Sequence, residues 1–447
     1  MTTTSATTTA TEAPAPDDQA PEDRHEIDSA NAEVVAAMTA GQPVLVDVVP
    51  ARTVISVLDE ETPTLLHAGP PVDFADMPAP MQASCVGAAF FEGWATNEAA
   101  ARQFIADKVR FVPCHHVDAV GPMGGITSAN MAVLVVENRA GENPADWNRA
   151  YATMNEGIGK VLRFGAFDSE VVDRLHWMGK VLGPSLSAAL ATTEEGYPLM
   201  PVIARAIAMG DEFHQRNIAA SAIFAKDFAP MLIKAGLDTE KLTEVTDFLG
   251  RTDQFFLNLA MASCKSIMDA ARKITKGSIV TAMTRNGHEF GIRVSGLGDR
   301  WFTAPVNTPE GLFFTGYSQD QACPDMGDSA ITETFGLGGM SMIAAPAVTR
   351  FVGAGGLGDA QAISEEMAEI VFGHNAMLSI PTWDFQGTPT GIDIRKVVET
   401  SITPIINTGI ASLEPGVGQI GAGTVRAPLG CFTKALEALA EAYGVDA

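Results

Sequence analysis

Ser278-Ile-Val-Thr-Ala-Met-Thr-Arg285, Asn286-Gly287, His288-Glu-Phe-Gly-Ile-Arg-Val-Ser295 reads as a β-hairpin. Two runs of apolar and β-branched residues flank an Asn-Gly pair, which supplies the two positive-φ positions of a type I′ turn. A turn at Asn286-Gly287 pairs Arg285 with His288, Met283 with Phe290 and Thr281 with Ile292. One face then carries Arg285, His288, Met283 and Phe290. The other carries Glu289, Gly291 and Arg293, opposite Thr284, Ala282 and Val280. Glu289 and Arg293 stand about 13 Å apart at the strand rise, too far to neutralise each other. Gly291 between them leaves a floor almost without side chain, where a ligand fits if Arg293 clamps its anion. The alternative is a solvated or helix-covered face whose charges pair elsewhere.

Outward from the hairpin, the chain divides by pattern. Gly-rich loops and short helices follow it, closing with a helix near Phe432–Tyr443. Upstream, Asn155 to about Met268 is mainly helical, with long amphipathic stretches at Ile203–Leu237 and Asp253–Lys273, the second with Thr252 as N-cap. Further upstream, a helix at Asn31–Met38, a strand at Pro43–Val49, a helix near Met81–Trp94 and a strand near Met131–Glu137 give an α/β pattern. Residues 1–27 are rich in Thr, Ala, Pro and acid and read as a disordered tail. The expected architecture is multidomain, α/β to α+β: a tail at 1–27, an α/β part at 28–150, a helical part at 151–275 and an α+β part at 276–447.

Hydrophobic residues make up 46% of the 447 and charged residues 19%, enough for a large core. The formal charge of −25 argues against nucleic acid and against an anionic membrane surface. Small anionic substrates stay open, because a few focused arginines outweigh the global charge locally. Five scattered cysteines without C-x-x-C read as reduced thiols of a cytoplasmic protein. No signal peptide is visible, and no run approaches 18 apolar residues.

Several segments carry candidate chemistry. Met209-Gly-Asp-Glu-Phe-His-Gln-Arg-Asn217 gathers Asp211, Glu212, His214, Arg216 and Asn217. If helical, Asp211 and His214 share a face as an acid–base pair and Glu212 pairs with Arg216, against the plain reading of an ion-paired helix surface. Cys114-His115-His116 follows a strand-like run; its adjacent histidines point oppositely, so a metal would need further ligands such as His67 or Asp118. Asn155-Glu-Gly-Ile-Gly-Lys-Val-Leu-Arg163 places Glu156 and Lys160 at i, i+4 with Arg163 a turn on, and has two helix-weakening glycines that a close neighbour or ligand would explain. Gly336-Leu-Gly338-Gly339 precedes an apolar Met340–Val348 helix, whose free N–H groups suit an anion. Asp328, Ser329 and Glu333 lie just upstream. Gly416-Val-Gly418-Gln-Ile-Gly421 matches G-x-G-x-x-G without a βαβ setting and is rejected as a dinucleotide site. Gly387-Thr-Pro-Thr-Gly391-Ile-Asp393 reads as a turn, with Asp384 and Asp393 as polar anchors. No cofactor and no metal set is expected.

Taken together, Leu66-His67-Ala-Gly-Pro-Pro71, Pro113-Cys-His-His116 with Gly121-Pro-Met123, Asn155-Glu-Gly157, Met209-Gly-Asp-Glu212, Arg285-Asn-Gly287, Phe290-Gly-Ile-Arg293, Gly327-Asp-Ser-Ala-Ile-Thr-Glu333, Gly387-Thr-Pro-Thr-Gly-Ile-Asp393 and Pro415-Gly-Val-Gly-Gln419 resemble a bacterial family. It includes the large subunit of oxamate carbamoyltransferase of anaerobic allantoin catabolism. The resemblance runs from about Asn31 to Leu436. It implies a reaction between carbamoyl phosphate and oxamate, or a related amide, giving oxalurate and phosphate. It also implies an oligomeric assembly with companion subunits, one of them like acyl-CoA synthetases. Such chemistry needs cations or N–H donors on an oxyanion and a departing phosphate, and a base near the attacking nitrogen. Arg163, Arg216, Arg285, Arg293 and the Gly338-Gly339 helix start are candidate anion binders, joined at the site by Lys160, Asn155, Asn217, Asn286, Ser329 and Glu333. His115, His116 and His214 are candidate bases, with Asp211 and Glu212 beside them. An amide hydrolase, metal-assisted through His115 or His116, and a non-catalytic ligand-binding subunit are the alternatives.

Overall fold

A computed structural model describes residues 16–59, 61–157, 159–353 and 355–444. The hairpin forms from Val280–Asn286 and Glu289–Val294, but its register differs from the expected one by two residues. Arg285 pairs with Phe290, Thr284 with Gly291, Met283 with Ile292 and Ala282 with Arg293. The cause lies in Asn286. Its Oδ1 accepts the N–H groups of His288 (2.9 Å) and Glu289 (2.7 Å), so Asn286 ends the strand and Gly287, at φ +81°, turns with His288. A slip of two preserves the faces. Thr281 bulges between Val280 and Ala282.

Strands Phe302–Pro305 and Met326–Gly327 flank the hairpin to complete a four-stranded antiparallel sheet, on which the closing helix Leu429–Tyr443 packs. Its apolar side is a core of its own, including Met283, Phe290, Ile292, Ile392, Ile406 and Phe432. A second antiparallel sheet joins Glu310–Phe313, Gln419–Arg426 and Ile405–Ala411.

The N-terminal α/β pattern becomes a five-stranded mixed sheet. Pro43–Pro50 lies between Ala132–Asn138 and Tyr197–Pro198, and Asn148–Thr153 and Ala119–Val120 extend the other edge. The helix Phe255–Ala271 packs against it. That helix is buried nearly all round, Phe255, Met261, Cys264 and Met268 being at most 1% exposed. One continuous core joins Leu45, Val86 and Leu134 of the sheet part to Phe224, Phe256 and Met261 of the helical part. The fold is thus mixed α/β and α+β with several sheets, as the sequence pattern implies.

Local differences have local causes. The first helix spans Pro16–Thr39, so residues 16–27 are helical instead of part of the expected tail; residues 1–15 lie outside the described ones. Thr252 does not cap the helix at Phe255, because its hydroxyl donates back to Phe248 O at 2.6 Å. The Ile203–Leu237 stretch breaks into Met200–Ala208 and Ile218–Lys234, and residues 209–217 are irregular. The apolar run after Gly338 is a kinked 3₁₀ segment, Gly338–Ala344, followed by a short helix, Pro346–Phe351.

Candidate functional site

Gly210 at φ +98° and Phe213 at φ +66° reverse the chain after Met200–Ala208, so the helical pairings expected of Asp211–Asn217 do not form. The turn winds round a carboxylate. Glu212 Oε2 accepts the His214 N–H at 2.6 Å, and Oε1 accepts those of Gln215 (2.7 Å) and Arg216 (3.0 Å). Burial, helped by the charge of nearby Glu333, pushes Glu212 up to about 8. Asp211 accepts from Ala220 N–H at 2.8 Å, at the start of the next helix, and stands 3.4 Å from Arg216 Nε; burial raises its pKa. Asn217 donates to His214 O at 3.1 Å.

His214 Nδ1 lies 2.7 and 2.9 Å from the two oxygens of Glu333, and its Nε2 makes no hydrogen bond among the described residues. Glu333 is wholly buried and also accepts from Gly339 N–H (3.0 Å), Asn407 N–H (3.1 Å) and Thr332 Oγ1 (3.1 Å). Gly338 donates its N–H to Glu212 O at 2.6 Å. The N–H groups expected to meet an external anion therefore already meet the protein's own oxygens. Gly338 sits at φ +58°, and a Cβ there would stand 2.0 Å from Glu333 Oε1, so only glycine fits.

Gly159, Arg163 and Phe164 line the same cavity as Gln215 and Arg216 of this turn. Gly157 and Gly159 take φ +89° and +98°, which rules out the helix expected there and separates Glu156 from Lys160. The Glu156 carboxylate instead accepts from Leu162 N–H (2.5 Å) and Arg163 N–H (3.2 Å). Lys160 turns away to Asp168 at 3.1 Å, in a neighbouring cavity of about 800 Å³ whose other charged groups are acidic: Asp168, Asp173 and Glu414. Arg163 donates Nη2 to Gly157 O at 2.7 Å and leaves Nη1 without a hydrogen bond, 3.9 Å from Glu156. Asn155 bridges to Asn258 Oδ1 at 3.1 Å inside the protein.

The cavity between these walls has a volume of about 550 Å³ and is lined by Arg163, Arg216, Gln215, Gln254, Gln419 and Phe314 among others. This is within the range of small-molecule sites. Neither Nη group of Arg216 makes a hydrogen bond among the described residues, and its side chain is 36% exposed. A planar fork of free donors on a concave wall suits a carboxylate or phosphate. The three glutamines were missed in the sequence, where single amides in separate segments carry no pattern.

The hairpin residues gather elsewhere. Arg285 is fully buried and spends its donors on Asp325 (2.6 and 3.1 Å), Gly327 O (2.7 Å), Ser329 Oγ (3.3 Å) and Thr408 Oγ1 (3.5 Å). Asn286 donates to Pro70 O at 3.0 Å. Arg293 lies under Trp301, its Cζ 4.3 Å from the ring centroid, with Nη1 3.3 Å from His115 O and 3.8 Å from Asp299. The expected open floor at Gly291 is filled: a Cβ there would meet Trp301 at 3.1 Å and Pro70 at 3.2 Å. His115 is buried 3.6 Å from Asp328, and burial, with Lys265 and Arg293 nearby, pushes its pKa well below the ordinary range. His116 accepts from Trp301 Nε1 at 2.9 Å. Among the described residues, no three His, Cys, Asp or Glu side chains are placed to hold a metal ion, so they offer no set for the metal-assisted hydrolase.

Comparison with known proteins fits these segments into one family. A family profile described as oxamate carbamoyltransferase subunit AllG matches residues 109–329. The oxamate carbamoyltransferase subunit AllG of Escherichia coli K12 is 62% identical over 93% of this chain and 98% of its own length. An uncharacterized protein of the same organism, YahG, is 41% identical over 94% of this chain and 87% of its own. A crystal structure of a conserved protein of unknown function from Enterococcus faecalis V583 superposes with a TM-score of 0.89 at 44% identity, covering 94% of this chain and 99% of that one. This chain belongs to the family of the oxamate carbamoyltransferase subunit AllG.

Proposed function

We propose that this chain is the substrate-handling subunit of a carbamoyltransferase that interconverts oxamate plus carbamoyl phosphate with oxalurate plus phosphate, or uses a related amide or ureido acceptor. In this reading the 550 Å³ cavity takes the substrates. The observation that carries it is that Arg216, whose Nη groups make no hydrogen bond among the described residues, lines that cavity together with Arg163. The amide nitrogen of oxamate attacks the carbamoyl carbon, the nitrogen loses a proton and the carbon–oxygen bond to phosphate breaks. Arg216 holds the departing phosphate, and Arg163 neutralises the oxyanion. The base is assigned to His214, in the same turn as Arg216 though not itself among the cavity's lining residues: Glu333 engages Nδ1 as the protonated nitrogen and leaves Nε2 to accept. Companion subunits, one of them like acyl-CoA synthetases, complete the assembly. A cytoplasmic location belongs to the same reading, which the five free thiols support. Among the described residues no helix is long and apolar enough to cross a membrane.

Arg216→Ala and Arg216→Lys test the proposal, in the chain alone and with its companion subunits. Both should fold; Arg216→Lys keeps a cation beside buried Asp211 and should melt near the parent, whereas Arg216→Ala should melt somewhat lower. Losing a charged bidentate contact of about 2–3 kcal/mol should lower kcat/KM for carbamoyl phosphate roughly 30- to 150-fold. Undiminished turnover by Arg216→Ala would move the anion out of this cavity.

A further inference from the structure

The same cavity presents acceptors as well as donors. Gln419 Nε2 donates to Gly421 O at 2.9 Å, and Gln254 Nε2 donates to Gln215 O at 3.4 Å. Each amide nitrogen thereby gives one of its two N–H groups to a backbone carbonyl. Neither Oε1 accepts a hydrogen bond among the described residues, so each side chain still offers an acceptor as well as one remaining N–H. The Gln419 amide is also held in place sterically. It lies against Gly409 on the adjoining strand, where a Cβ would stand 3.1 Å from its Cδ and Nε2. A side chain at 409 would press the amide aside by a few tenths of an ångström.

Phosphate or a simple carboxylate needs only donors, and the arginines supply them. Two amide oxygens beside those arginines go unused by such an anion, and an acceptor left dry costs binding. A ligand with an anionic group at one end and an –NH₂ at the other satisfies both sets. We infer that Gln254 and Gln419 form a subsite that reads the –NH₂ end of a carbamoyl or primary-amide ligand whose anionic end lies on Arg216. The inference rests on the assignment of the cavity made under Proposed function and adds its selectivity: an acyl phosphate with methyl in place of amino is rejected, because methyl offers the glutamines nothing.

Two stable probes differ only at that group: phosphonoacetamide carries –NH₂ and acetonylphosphonate carries –CH₃. Titration calorimetry of the full chain should show phosphonoacetamide binding roughly 10- to 100-fold tighter than acetonylphosphonate. Gln419→Met and Gln254→Met, each with a melting temperature near that of the parent, should bring the ratio toward one while affinity for inorganic phosphate stays the same. Arg216→Ala should weaken both probes and phosphate together. A parent chain that does not distinguish the probes, or glutamine variants that still do, would overturn the subsite and leave the anion site standing. If Arg216→Ala binds phosphate as the parent does, the anion site itself fails, whatever the glutamines do.

Discussion

The hairpin centre around Arg285 and the turn around Glu212 both concentrate charge in buried backbone, yet they close differently. At the hairpin, Arg285 meets a bidentate partner in Asp325, two hydroxyls and a carbonyl. At the turn, the Glu212 carboxylate accepts three backbone N–H groups, while Arg216, its Nε beside Asp211, keeps both Nη groups without a hydrogen bond among the described residues at a cavity wall. Charge density alone does not separate a site from a scaffold; the account of donors and acceptors does. A guanidinium with no donor left holds the protein together, and one with an idle fork has something still to bind.

Arg285→Ala breaks this contrast most directly. It strands Asp325 as an unpaired buried charge and should lower unfolding free energy by about 3–5 kcal/mol in urea titrations. A loss under about 1 kcal/mol would mean that residues 325–329 are held to the hairpin by other contacts. Gly291→Val comes next, because its side chain would drive into Trp301 and Pro70. A cost of about 1–3 kcal/mol is expected from overpacking; a stable variant with impaired turnover would instead restore the open ligand floor.

Glu212→Gln probes the turn through pH. Glu212 is raised from 4.5 to about 8, so between these values the folded chain holds a proton that the unfolded chain has lost. Stability from this group is full below 4.5 and is lost as pH rises through 8. Denaturation at pH 5.5 and 8.5 should show the parent weakening toward alkali more steeply than Glu212→Gln, and parallel pH profiles for the two would place the raised proton affinity elsewhere. The smallest effect belongs to Lys160→Ala. Its pair with Asp168 is solvent-exposed, 61% and 42% for the two side chains. Unfolding free energy should change by less than about 1 kcal/mol, and a larger change would make the neighbouring cavity part of the scaffold.

How far the sequence could be read follows from range. The hairpin, its faces, the Pro43 strand, the helix near Met81 and the closing helix were legible, because periodicity and turn residues are local signals. The hairpin register was not, since Asn286 can begin a turn or cap one, and its side-chain bonds to His288 and Glu289 decide. The Asp211–Asn217 segment misled for a sharper reason: Phe213 adopts a left-handed conformation that sequence assigns to glycine or asparagine. Arg163 and Arg216 were picked out from their surroundings, but their convergence on one cavity, and the glutamines beside them, depend on long-range packing that no spacing encodes.

That long-range packing has a consequence for how the protein is made. The cavity wall begins at Gly159 and is completed only by Gln419, near the end of the chain. Glu333 likewise joins the His214 turn to Asn407 across separate stretches of sequence. At ordinary rates of translation the first wall emerges from the ribosome on the order of tens of seconds before the last. During that interval the nascent polypeptide can settle its N-terminal five-stranded sheet and the helices against it but has no pocket to offer. Ligand cannot guide the early assembly, and a message cut short anywhere before Gln419 yields a protein without a complete binding cavity.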